Sequence, residues 1–150
     1  MTAIGFSRIL LPVDFSIHGE AAAAYAAWFA QVSNGTVHLV HVIANPADPL
    51  YEPQEVAYWV MVEHAQTKAA AMLERAATQS LPANCAHECL VLQGDPADKL
   101  IEAAKRIQPD VIVMATHGRS ALAHLMMGSV VEKIVRHAPC PVFVTRRAPE

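Results

Sequence analysis

The apolar run at 8–13, closed by Asp14, is too short for a helix and reads as a buried strand. An alanine-rich stretch follows from about 18 to 32, with Ser16 as its candidate N-cap and Gly35 as its left-handed stop. Residues 36–43 are β-branched and apolar and predict a second strand. Pro46, Pro49 and Pro53 make 44–53 a loop. A helix is expected over 54–79, where Val56, Val60, Ala65, Ala69, Met72, Leu73 and Ala76 recur near period 3.6. A third strand at 85–93 ends at Gly94. Asp95-Pro96-Ala97-Asp98 is a helix start, with Asp at the N-cap, Pro at the first helical position and a carboxylate two residues later. That helix runs to about 107, ahead of Pro109. Residues 110–115 form a fully buried fourth strand. After a glycine-flanked segment at 117–128, Ser129 and Glu132 read as a capping box opening a last helix. Pro139 ends that helix, and 141–146 is the fifth strand.

Strands alternating with helices imply a parallel sheet covered on both faces through right-handed crossovers. The expected fold is a three-layer α/β sandwich. With 150 residues, of which 53% are apolar and 17% charged, the chain suits one domain spanning 1–150, with ample core and no disorder. A net charge of −3 supplies no basic field for nucleic acid. The longest apolar run, ten residues at 21–30, is half a membrane span. Residues 1–8 lack the basic start and leucine-rich stretch of a secretory signal. The three cysteines show no disulfide-framework spacing. A cytoplasmic protein is expected.

In open α/β sheets, ligands bind beyond the carboxyl ends of the strands, where strand order reverses. Two strand ends carry suitable residues: Pro12-Val13-Asp14-Phe15-Ser16, and Met114-Ala115-Thr116-His117-Gly118-Arg119. Nine residues separate Gly118 from the pair Gly128-Ser129. A glycine lets the backbone approach a phosphate closely, and the free N–H groups of a helix N-terminus favour an anion. Neither the GxxxxGK[ST] loop nor the GxGxxG fingerprint is present.

Six marks in order also give the chain a resemblance to the universal stress protein family. They are 9–16 at the first strand, His41-Val42-Ile43, Gly94-Asp95-Pro96, Thr116 to Ser120, Gly128-Ser129, and His137 to Val142. The resemblance implies a sheet of order 3-2-1-4-5, of the adenine nucleotide alpha hydrolase-like, Rossmann-like kind, and a homodimer. The family's ATP-binding branch carries G-x2-G-x9-G-[ST]. The last three anchors fall on Gly118, Gly128 and Ser129, and the first is replaced by Ala115. The resemblance places Pro12 and Asp14 beside ribose and adenine, with Val13 from the same strand end, and packs Val42 on the base. Met114, Ala115 and His117 would line the fourth strand's edge, and Gly118, Arg119, Gly128, Ser129 and Val130 would hold phosphates. ATP, AMP or ADP, with Mg2+ held mostly by phosphate oxygens, is the implied ligand.

The same residues have plainer readings. Asp14 suits a helix cap, Ser129 an N-cap, and both glycines ordinary turns. Cys85, His87 and Cys89 share one face of a strand, but no fourth metal ligand is evident, and free cysteines commonly pack as small apolar groups. His117 and His124 fall in the phosphate segment. The aromatic cluster near Trp59 reads as helix core or rim. Under the implied order, 141–146 is an apolar sheet edge, which pairing with a second copy would cover. The leading function is a dimeric stress-response sensor that binds an adenine nucleotide and answers to a protein partner. A slow ATPase or phosphotransferase, and a dimeric interaction protein without nucleotide, are the alternatives. Against the enzyme, no general base is evident beside a γ-phosphate.

Overall fold

The computed structural model describes residues 4–16, 19–44, 55–116 and 127–146. Among the described residues five strands and four helices alternate: β1 (Arg8–Pro12), α1 (Gly19–Ser33), β2 (Thr36–Ile43), α2 (Glu55–Ser80), β3 (Ala86–Gln93), α3 (Pro96–Ile107), β4 (Val111–Ala115), α4 (Ser129–His137) and β5 (Val142–Thr145). The sheet order is β3-β2-β1-β4-β5 and every pairing is parallel. Register runs Leu11↔Leu39 between β1 and β2, Leu39↔Cys89 between β2 and β3, and Leu10↔Ile112 between β1 and β4.

Strand alternation sorts the core into two layers. Ile9, Leu11, Val37, Leu39, Val111 and Val113 face one way, against Ala22, Ala26 and Phe29 of α1 and Leu73 and Ala77 of α2. Leu10, Val40, Ile112 and Met114 face the other way, against Leu100 and Ala104 of α3 and Val131 and Ile134 of α4. Alanines on α1 let that helix lie close to the sheet, because small side chains reduce the distance between layers.

Local expectations differ from the structure at four places. The left-handed residue after α1 is Asn34 (φ 50°), not Gly35. Gly35 is needed for close approach instead, since a Cβ there would lie 2.1 Å from the Phe6 carbonyl oxygen. At Ser16 the hydroxyl caps nothing and has no hydrogen-bond partner among the described residues. The α2 stripe runs through Ala65, Ala69, Leu73 and Ala77, so Val60 (62% exposed) and Met72 face solvent. Trp59, 65% exposed, accordingly stands out from the helix instead of entering the core. Finally, α4 is capped by Gly128 in extended conformation (φ −60°, ψ 150°), and Ser129 is its first helical residue. The capping box does not form: the carboxylate of Glu132 pairs with Arg136 at 2.9 Å.

The start of α3 is as the sequence predicts. Asp95 accepts the Asp98 N–H at 2.9 Å with Pro96 beginning the helix. That helix ends at Gln108, which is left-handed (φ 52°) just before Pro109.

Candidate functional site

The order 3-2-1-4-5 reverses at β1: successive strands are added on one side as far as β3, then β4 crosses to the other. Beyond the carboxyl ends of β1, β2 and β4 lies a cavity of about 470 Å³. This volume is within the ~300–1,000 Å³ typical of small-molecule sites. Pro12, Val13 and Asp14 line it from the end of β1, Met114 and Ala115 from β4, and Val42 from β2. Gly128, Ser129 and Val130 line it from the start of α4. Nine of the twelve residues singled out from the sequence thus share one wall system. His117, Gly118 and Arg119 lie outside the described residues.

Hydrogen bonds fix the β1 corner of this cavity. The Val13 N–H donates to the Val40 carbonyl at 2.9 Å, and His41 Nδ1 donates to the Val13 carbonyl at 2.6 Å. The His41 ring packs on Phe15 with centroids 4.4 Å apart. Phe15 itself is left-handed (φ 61°), which turns the chain sharply out of the strand. Between them the Asp14 carboxylate accepts the Ser16 N–H at 2.9 Å, an Asx-type turn. Sequence pattern alone did not select His41 as a site residue. Its role arises from the register that sets the end of β2 beside the end of β1.

At the opposite wall the Thr116 N–H donates to the Thr145 carbonyl at 2.9 Å, and the Gly128 N–H donates to the Thr116 carbonyl at 3.0 Å. The ends of the segment between β4 and α4 are therefore tied together at the cavity's rim. The cap residue of α4 is Gly128, which brings no side chain to the first-turn N–H groups. They give this rim the partial positive character of a helix N-terminus. Among the described residues, a Cβ on Gly128 would meet only the Thr116 carbonyl oxygen, at 3.4 Å, an ordinary van der Waals contact.

The floor of the cavity is apolar. Val40 and Ile43 on β2 and Leu100 on α3 line it, and of these Val40 and Leu100 lie outside the motifs. Pro96 and Val131 come from the first turns of α3 and α4. Lys133 joins these two helices, with its ammonium 2.7 Å from Asp98 and 3.7 Å from Asp95. Asp14 is the only carboxylate among the described residues that line the cavity. An apolar floor and an electropositive rim fit a flat aromatic group that carries an anion.

The two other cysteine-bearing places are elsewhere. Cys85, just before β3, and Cys89 on it pack partly against the α1–α2 layer. The Cys89 thiol is pushed up to about 12 by burial and by its hydrogen bond to the negative Glu74 carboxylate. Burial likewise raises Cys140 before β5. Among the described residues no helix is long and apolar enough to cross a membrane.

A parallel sheet with helices on both faces and a crevice at its switch point defines a Rossmann-like α/β protein. Residues 5–146 match the universal stress protein family model. A universal stress protein of Thermus aquaticus, from the 3′ region of a QAH/OAS sulfhydrylase, is 37% identical over 94% of this chain and 99% of its own. Among solved structures, universal stress protein UspA from Lactobacillus plantarum superposes with TM-score 0.74 and 26% identity, covering 95% of this chain and 99% of that one. Two more distant structures share the fold. One is a universal stress protein in complex with cAMP (TM-score 0.59, 20% identity, 95% of this chain and 98% of that one). The other is a family protein from Arabidopsis thaliana with AMP bound (TM-score 0.60, 18% identity, 95% and 92%). The chain belongs to the universal stress protein family.

Proposed function

We propose that this protein binds an adenine nucleotide in the crevice at the ends of β1, β2 and β4, and acts as a nucleotide-responsive dimeric regulatory module. The observation that carries the reading is the meeting of two unlike surfaces in one cavity. An apolar lining that includes Val42 and Met114 suits a base, and the glycine-capped N-terminus of α4 at Gly128, Ser129 and Val130 suits phosphate. Pro12, Val13 and Asp14 would flank the ribose, with His41 holding their backbone in place. Ala115 puts a methyl group on the wall where the family's ATP-binding pattern has glycine. His117, Gly118 and Arg119 would complete the phosphate side. Mg2+ would be held chiefly by the phosphates, since Asp14 is the one carboxylate among the described lining residues. The AMP and cAMP described for two structures of the same fold support an adenine ligand.

The test begins with denaturing the purified protein and identifying any released nucleotide by chromatography and mass spectrometry. Calorimetric titration with AMP, ADP and Mg-ATP follows, on the wild type and on Gly128→Leu. The expected result is a one-to-one adenine nucleotide complex in the wild type. Loss of that complex is expected in Gly128→Leu, with unchanged circular dichroism. Absence of nucleotide in both wild-type assays, or undiminished affinity in Gly128→Leu, would reject the reading. The ATP-to-ADP ratio over time reports turnover.

A further inference from the structure

A second group of ligand-type side chains lies on the α2–β3 side of the sheet, on none of the elements that line the nucleotide crevice except the sheet itself. Glu74 of α2 and His87 and Cys89 of β3 bring a carboxylate oxygen, an imidazole nitrogen and a sulfur within 4.8 Å of one another. His87 Nε2 and Glu74 Oε2 are 3.7 Å apart. The Cys89 sulfur lies within 4.8 Å of the same carboxylate.

Donor orientation adds an independent argument. His87 Nδ1 lies 3.3 Å from the Cys85 carbonyl oxygen. A carbonyl only accepts, so Nδ1 carries the hydrogen, which leaves Nε2 as the ring nitrogen on the Glu74 side. An outer hydrogen bond of this kind is how metal-binding histidines are commonly oriented. The strand spacing also explains which residues take part. Cys85 directly precedes β3 and Cys89 lies four residues on, so in extended chain their Cα atoms are separated by about 13 Å at ~3.3 Å per residue, too far to share one ion. His87 and Cys89 are two apart on one face, and α2 supplies the third donor.

We propose that Glu74, His87 and Cys89 form a binding site for a zinc-class divalent cation that clamps α2 to the free edge strand β3. Bond lengths of ~2.0–2.3 Å to oxygen, nitrogen and sulfur put tetrahedral neighbours roughly 3.3–3.6 Å apart. Starting within 4.8 Å of one another, the donors need to close by up to about 1.5 Å, through two side chains that already reach solvent, Glu74 and His87. A thiolate with imidazole selects zinc over magnesium or calcium, and water takes the fourth position. The site is chemically distinct from any Mg2+ carried by a nucleotide.

The full chain, reduced and freed of metal by chelation, is titrated with Co2+ as a spectroscopic stand-in for Zn2+. A thiolate-to-cobalt charge-transfer band and tetrahedral d–d bands are expected, saturating at one Co2+ per chain and bleached by one equivalent of Zn2+. The charge-transfer band is lost in Cys89→Ser and the complex in His87→Ala, while Cys85→Ser and Cys140→Ser keep both. Zn2+ also raises the melting temperature of the wild type but not of Cys89→Ser, which shows that the variant is folded and lacks the clamp. A wild type without the charge-transfer band, a band that persists in Cys89→Ser, or one abolished by Cys85→Ser would each overturn the assignment.

Discussion

Asp95 shows how one side chain acts on folding through its charge. Its carboxylate is held below the ordinary range, first by the Asp98 N–H it accepts and then by the nearby Lys133 ammonium. A folded-state value below the unfolded one means that the stabilisation is fully present above the unfolded value, near ~3.9. It is lost as pH falls through the folded value. Asp95→Ala is therefore expected to cost about 1 kcal/mol at pH 7, as N-cap removals do. The gap between wild type and variant should narrow in acid. Urea denaturation of both proteins at pH 7 and near pH 2 measures this, and a gap of equal size at both would contradict the charge argument. Asp95 was legible from its residue type and spacing. Gly35 was recognised as necessary for the wrong reason, because its neighbours Phe6 and Ser7 are far away in sequence.

Among the elements, α2 is where periodicity most misleads. Apolar residues are spread around it, so two neighbouring stripes compete, and only packing on β2 and β3 selects the one through Ala69, Leu73 and Ala77. Leu73 is fully buried, whereas Val60 is 62% exposed. Leu73→Ala should lower stability by roughly 2–5 kcal/mol, the usual cost of such a cavity. Val60→Ala should stay within about 0.5 kcal/mol, as surface changes do. Equal shifts in urea midpoint for the two variants would show that the helix is rotated from the orientation described. For α4 the element was expected but its cap was misplaced by one residue. The Gly128 N–H bonds to Thr116 and its carbonyl accepts the Glu132 N–H, so the backbone makes Gly128 the cap. This one-residue shift leaves the first turn open toward the crevice.

For the whole molecule, the sheet order makes β3 and β5 its two edges. Along β5 the edge is flanked by aromatic surface. The Phe143 ring lies 5.0 Å from that of Tyr25, and Trp28 on the same helix is 54% exposed. An apolar edge strand beside such a patch favours pairing with a second copy. Light scattering should give twice the 16.2 kDa chain mass, and Phe143→Glu should return the monomer. A wild-type monomer mass at all concentrations would remove the dimer from the proposed function.

The sequence by itself determined the kinds and order of the elements, the start of α3, and the two strand ends and helix start that converge on the crevice. These are local matters: periodicity, capping chemistry and glycine spacing act within a few residues. Tertiary structure alone decided the rest. Parallel register brought His41 to the Val13 carbonyl, and the docking of α3 set Leu100 into the cavity floor. The rotation of α2 carried Glu74 to His87 and Cys89, thirteen residues or more along the chain. Such meetings depend on how helices settle on a sheet, and that is set by the summed burial of many side chains and not by any short pattern.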